Sequence, residues 1–204
     1  GWRPVRKHEL VDLAGAARAA IERGTLDGGL LARVANEQCL RAAWHRVRHG
    51  SKAAGVDGIT LERFAGQLEE NLADLSVQLI RRTYRPSPLR RVELAKEGGG
   101  TRMVGIATVR DKVAQSACLD VLDPIVDRLL SDRCYAYRPR RSAGNAVLDF
   151  HATLAARPEC WILKCDIRKC FDTIDHELLL DALSPHVPDA DLIALIRGWA
   201  RAEV

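Results

Sequence analysis

The chain has 204 residues, 47% of them hydrophobic and 28% charged, which is enough to bury a core and fits one or two domains. No apolar run approaches the roughly 20 residues a membrane helix needs, and the basic start GWRPVRKHEL is followed by no apolar stretch of the kind a secretory signal carries. The formal net charge is a modest +4, but nine basic residues against three acidic ones fall between Leu79 and Lys112, and Arg133, Arg138, Arg140 and Arg141 follow, so the clustering points to a polyanionic partner.

In chain order, residues 9–22 are Ala-rich and predict a helix that Gly24, Gly28 and Gly29 end. Residues 30–48 predict an amphipathic helix with Leu30, Val34, Leu40, Trp44 and Val47 near one face. GVDG (55–58) reads as a tight turn, and Thr60 as the N-cap of a helix running to about Arg82, where Pro86 and Pro88 stop it. LRRVELA (89–95) alternates as a half-buried strand does, EGGGT (97–101) is a hairpin turn, and RMVGIAT (102–108) returns. Residues 110–130 predict a helix kinked or split by Pro124. Residues 134–147 read as a loop entering a helix capped near Ser142, WILKCD (161–166) as a short strand, and residues 173–183 and 189–201 as helices. The class is mixed α and β (α/β in the broad sense). WILKCD has no partner strand after it, and an isolated strand is not stable.

The cysteines (Cys39, Cys118, Cys134, Cys160, Cys165 and Cys170) form no CxxC pair, and the five-residue spacing of the last three matches no common zinc site. They read as reduced thiols of a cytoplasmic protein. The chain starts at Gly1 and not at Met, which reads as a processed chain or a fragment.

The most informative stretch is KCDIRKCFDTIDH (164–176). Asp166 closes the predicted strand, where a carboxylate can project into a cleft and hold a hard cation. Nucleotidyl transfer uses such carboxylates in sets, around two metals roughly 3.5–4 Å apart. Asp172 and Asp175 are rivals for that role, but both stand where a helix N-cap is expected.

DIRKCFDTIDH resembles the first catalytic motif of group II intron-type reverse transcriptases. GVDG (55–58), YRPSPLRRVELAKEGGGTRMVGIATVRDKVAQ (84–115) and LDPIVDRLLSDRCYAYRPRRSAGNAV (122–147) resemble, in order, three of their fingers motifs. The resemblance covers roughly residues 35–185. It implies a right-hand polymerase with an N-terminal extension at 1–34, fingers at 35–150 and the start of the palm at 151–204. It implies RNA-directed DNA polymerase activity in the complete protein, with RNA template, primer or cDNA duplex and dNTPs as partners and Mg2+ as cofactor. Asp166 matches the catalytic metal-binding aspartate, and the carbonyl of Ile167 a further ligand. Phe171 matches the ring that excludes a 2′-hydroxyl. Lys96 and Arg102 match the residues that grip the triphosphate, with backbone amides near Lys169 and Cys170 facing it. Arg81, Arg82, Arg85, Arg90, Arg91, Arg110, Lys112, Arg138, Arg140 and Arg141 are the expected nucleic-acid contacts.

Some positions depart from the family pattern. Ala95 replaces a proline, Met103-Val104 replace Pro-Leu, Ala107 replaces a proline, and Ala136-Tyr137 replace Gly-Phe. These changes suggest a divergent branch, and the motifs suit both intron-encoded enzymes and CRISPR-associated ones, with intron RNA or integration proteins as the respective partners. No YxDD sequence is present, so the 204 residues alone are expected to bind RNA without extending a primer. The alternative is a non-catalytic, maturase-like RNA-binding module.

Overall fold

The computed structural model describes residues 29–95, 99–157 and 159–202, so the helix expected over 9–22 lies outside the described residues. Four helices come first: α1 (Leu30–Val34), α2 (Glu37–Val47), α3 (Leu61–Ala65) and α4 (Leu68–Ile80). The hairpin β1 (Arg90–Ala95) and β2 (Thr101–Ile106) follows, then α5 (Val109–Val126), which tightens into a 3-10 turn over Asp127–Leu129. The rest is helical: α6 (Ala143–Ala156), α7 (Cys170–Thr173), α8 (His176–Leu183) and α9 (Ala190–Ala200). This is the mixed class read from the sequence, with one two-stranded sheet among the described residues.

Several element boundaries differ from expectation, each for a local reason. The helix expected over 30–48 breaks at Ala35 because the Asn36 side chain accepts from the Gln38 and Cys39 N–H groups and starts a second helix. Ser76 donates to the Ala35 carbonyl at 2.6 Å and so satisfies the end of α1. The helix expected from Thr60 to Arg82 breaks at Gly66-Gln67, although Thr60 caps α3 as read. Pro124 does not split α5, which runs through it to Val126 before the 3-10 turn of Asp127–Leu129. The helix expected over 173–183 begins at His176, capped by Asp175, with α7 a separate turn before it.

The largest difference is WILKCD, which forms no strand. Residues 161–167 carry no regular structure; Trp161 is 100% exposed and Leu163 86%. A strand needs a neighbour to take its N–H and C=O groups, and β1 and β2 pair only with each other.

The core is centred on α5. Val109, Val113, Ala117 and Val121 repeat at four-residue intervals beside Ala114 and Cys118, and all six are buried. They meet Leu40, Ala43 and Trp44 of α2 and Leu72, Leu75 and Leu79 of α4, while Trp44 packs on Phe64 with ring centroids 5.2 Å apart. Val187 and Leu192 join the same core, so the last helix packs with the first. Asp189 ties them together: Oδ1 accepts from Asp191 and Leu192 N–H at 3.1 and 3.0 Å, and Oδ2 accepts from Leu31 N–H at 2.8 Å.

One polar node lies inside this packing. Asp111 is 1% exposed. It accepts from the Tyr84 hydroxyl at 2.5 Å and from Ser87 N–H at 3.0 Å, and its own N–H donates to the Thr108 hydroxyl at 3.1 Å. Trp199 Nε1 donates to the same Tyr84 oxygen at 3.0 Å. On either side, Arg110 lies over the Tyr84 ring and bonds Gln78, and Lys112 Nζ donates to the Ala53 carbonyl at 2.7 Å. Gly55 completes the arrangement, because a Cβ there would stand 2.6 Å from the backbone N and Cα of Thr108. The first glycine of GVDG is therefore required for close approach, and Gly58, at φ +66°, for the turn itself.

Asp111→Ala leaves the Ser87 N–H and the Tyr84 hydroxyl without their shared acceptor. We expect a loss of about 3 kcal/mol in chemical denaturation, the scale of buried hydrogen bonds to a charged group. A second expectation concerns pH. Burial pushes the Cys118 thiol from 9.0 up to about 12. Burial, and then the adjacent Asp111 carboxylate, hold the Tyr84 phenol above its ordinary range. Both groups are neutral when folded, so their contribution is complete below the unfolded-state value and is lost as pH rises through the folded one. Thermal melts should be level up to about pH 9 and decline from there toward 12, and Cys118→Ala should make that decline shallower.

Candidate functional site

The hairpin register decides which basic side chains share a face. Arg90 pairs with Ile106, Val92 with Val104 and Leu94 with Arg102, while Arg91 pairs with Gly105, Glu93 with Met103 and Ala95 with Thr101. Directly paired residues point the same way. Arg90 and Arg102 therefore lie on one face with Val92, Leu94, Val104 and Ile106, and Arg91 lies on the other. Arg102 is one pair from the last described pair, beside a turn in which Gly99 and Gly100 adopt φ of +87° and +83°. That places it at the far end of the hairpin, as expected. Lys96 lies outside the described residues.

The root of the hairpin is fixed on both sides by the buried node. Ser87 N–H on Asp111 holds the chain leading into β1, and Thr108, which caps α5, holds the chain leaving β2. Tyr84 and Trp199 are hydrogen-bonded into the same node, and sequence reading had not assigned Asp111 or these two residues that role. The signal was available in the run Thr-Val-Arg-Asp-Lys directly after a strand, where a cap and three consecutive charges coincide.

The remaining basic residues divide in two. Arg110 and Lys112 turn inward to the partners named above, and burial holds the Lys112 ammonium below its ordinary value, followed in effect by nearby Arg90. Arg138 also turns inward and its side chain is 7% exposed. It bonds Asp127 Oδ1 at 2.7 Å, the Ser131 and Cys134 carbonyls, and the Asp127 carbonyl, and in return it lowers the Asp127 carboxyl from its usual range. Arg141 bonds Asp132 and lies over the Tyr135 ring. Arg81, Arg82, Arg85, Arg90, Arg91, Arg102 and Arg140 remain at the surface. Of these, Arg82 pairs with Asp191 and Arg85 donates to the Arg82 and Tyr84 carbonyls.

Asp166 and Ile167 are exposed on the unpaired tract before α7, and Phe171 is 83% exposed. Lys169 caps α7 from the left-handed region, at φ +53°, and Cys170 is half-buried. Asp175 is used as a helix cap, accepting from Glu177 and Leu178 N–H. Among the described residues no three His, Cys, Asp or Glu side chains converge to hold a metal ion. One exposed carboxylate and a neighbouring carbonyl do not by themselves fit a divalent cation, which requires several oxygens in a set.

Comparison with known proteins gives this arrangement its context. The sequence profile described as "Reverse transcriptase (RNA-dependent DNA polymerase)" matches residues 94–199, from the end of β1 through α9. Protein YkfC of Escherichia coli (strain K12) is 31% identical over 150 residues, 72% of this chain and 39% of that protein. The group II intron-encoded protein LtrA of Lactococcus lactis subsp. cremoris is 30% identical over 155 residues, 76% of this chain and 26% of that protein. The putative COX1/OXI3 intron 1 protein of Saccharomyces cerevisiae is 29% identical over 178 residues, 87% of this chain and 21% of that protein. The chain thus spans well under half the length of these curated relatives.

The division of the arginines gives a direct test. Arg138→Ala should lower the melting temperature, because four hydrogen bonds of one guanidinium hold the 131–141 loop. Arg140→Ala should leave the melt unchanged. Equal melts for the two variants would remove the structural role assigned to Arg138.

Proposed function

Because this chain belongs to the reverse transcriptase family, we propose that it is the fingers and the opening of the palm of an RNA-directed DNA polymerase. The observation that supports this most is the continuity of the family match across the Arg102 hairpin and the Asp166–Phe171 tract in a single span. The partners in this reading are an RNA template, a primer or cDNA duplex and deoxynucleoside triphosphates. Arg102, at the far end of the hairpin, binds the triphosphate as a cation, and the family motif pairs Lys96 with it in that role. The resemblance assigns Asp166 and the Ile167 carbonyl as two ligands of a divalent ion, magnesium in this proposal. Phe171 takes the face of the sugar and excludes a 2′-hydroxyl by contact. The intron-encoded relatives favour an intron RNA as the associated nucleic acid. Six free thiols suit a reducing cytoplasm, and among the described residues no helix is long and apolar enough to cross a membrane.

Primer extension on an RNA template by the full-length protein tests the reading. Asp166→Asn should reduce extension to background with either sugar. Phe171→Val should raise the ratio of ribonucleotide to deoxynucleotide incorporation by about tenfold or more, equivalent to roughly 1.4 kcal/mol of lost discrimination. Full-length protein that binds RNA but never extends a primer would leave the maturase-like alternative in its place. A destabilised Phe171→Val protein with unchanged sugar selectivity would make the ring a packing residue.

A further inference from the structure

A cavity of about 410 Å³ lies between the end of α4, the Tyr84–Pro86 segment and α9. None of Arg102, Asp166 or Phe171 lines it. Its size is within the roughly 300–1,000 Å³ range of small-molecule sites. Its apolar surface comes from Leu31, Leu79, Pro86, Ala194 and Leu195, together with the bare backbone of Gly198. A Cβ at Gly198 would stand 3.3 Å from Pro86 Cγ, so Gly198 and Pro86 are packed on each other and form one continuous surface of the cavity.

The rim is cationic. Arg82, Arg85, Arg197 and Arg201 all line the cavity. Two carboxylates answer these four guanidiniums: Asp191 pairs with Arg82 at 2.6 Å, and Glu177 is shared between Arg197 at 3.3 Å and Arg201 at 2.6 Å. Each guanidinium has five N–H donors, so most remain available. The Nε of Arg197 is buried and has no partner among the described residues. Arg82 reaches the rim from a left-handed backbone position, φ +58°, just past the end of α4, where glycine is the usual residue. Surplus planar cations over an apolar slot suit a ligand with a flat apolar part and an anionic group. Guanidinium planes and apolar surfaces take the faces of nucleobases in this way, and a bidentate arginine takes phosphate.

We infer that this cavity is a second nucleic-acid site: it takes one unpaired nucleotide, with the base against Pro86, Leu195 and Gly198 and the phosphate on Arg197 and Arg201. The identification of the ligand as a nucleotide rests on the polymerase reading; the cavity and its charge do not. The same chemistry would admit a free mononucleotide or a nucleotide within a single-stranded RNA, and the experiment separates these two sources.

The 204-residue chain is titrated with fluorescein-labelled octauridylate, with uridine 5′-monophosphate and inorganic phosphate as competitors. Octauridylate carrying 4-thiouridine is then crosslinked and the peptides are mapped. Crosslinks should fall in residues 84–86 and 194–201. Arg201→Ala, whose melt is measured because Arg201 also pairs with Glu177, should weaken octauridylate binding by about tenfold, the loss expected for one charge-assisted phosphate contact. Ala194→Trp should weaken it similarly by filling the cavity, with its melt measured alongside. Uridine monophosphate that displaces octauridylate at equal nucleotide concentration assigns the site to a free nucleotide, and much weaker displacement assigns it to a nucleotide within a strand. Crosslinks elsewhere, with Arg201→Ala binding as the parent does, would overturn the site. Phosphate competing as well as the mononucleotide would overturn the base-binding half. Primer extension by the full-length protein is a separate readout. Its failure alongside mapped crosslinks would sink the polymerase reading and leave the cavity standing.

Discussion

The buried carboxylate of Asp111 is the interaction on which the arrangement of the other segments depends. It sits in the first turn of α5, where its neighbours in sequence point about 100° apart around the helix. Three consecutive side chains therefore reach three different pieces of chain: Arg110 meets α4 and the Tyr84 ring, Asp111 holds Tyr84 and Ser87, and Lys112 takes the loop before α3. A charge in this position is tolerable only because hydrogen-bond donors surround it. The same donors belong to the segment that leads into the hairpin. The direction in which the hairpin projects from the helical core is thus set by a polar contact inside that core, and the gripping role proposed for Arg102 depends on it.

Charge clustering in the sequence and charge at the surface differ in this molecule. The run from Arg81 to Lys112 reads as one basic patch, but the fold uses Arg110 and Lys112 internally and places Arg90 and Arg91 on opposite faces of the hairpin. Arg138 is consumed in the same way. Its planar fork can serve several carbonyls and a carboxylate at once, which a lysine could not do. Arginine here is as much a means of closing irregular loops as of holding phosphate.

Local signals were legible in the sequence where a short-range hydrogen bond decides the outcome. Thr60 and Ser142 are the N-caps they were read as, although the helix that Thr60 starts ends at Ala65, and the strands expected as a hairpin do pair. The breaks at Asn36 and Gln67 were hidden because apolar periodicity continues across them, and at Asn36 a capping side chain within an amphipathic run looks like one more polar position. WILKCD was misread for a different reason. Its composition reports a preference for extended backbone, but pairing is decided by residues distant in sequence. The candidate site divides along the same line. Asp166 and Phe171 are candidates through the family resemblance, whereas the Tyr84–Asp111–Trp199 node joins residues up to 115 positions apart and was visible only in three dimensions.

The exposed tract from Trp161 to Ile167 has a practical consequence for solubility. Trp161, Ile162, Leu163 and Ile167 are apolar and open to solvent, and the backbone between them has no sheet partner. An unpaired extended segment of this kind is a template on which a second molecule can add a strand, and such contacts propagate into aggregates. Only Lys164 and Asp166 interrupt the run with charge, as gatekeeping residues do in natural sequences. Asp166 would act there as a charged gatekeeper in addition to the ligand role proposed for it. Asp166→Asn leaves Lys164 as the one charged residue between Trp161 and Ile167, so its effect on activity should be measured beside its solubility.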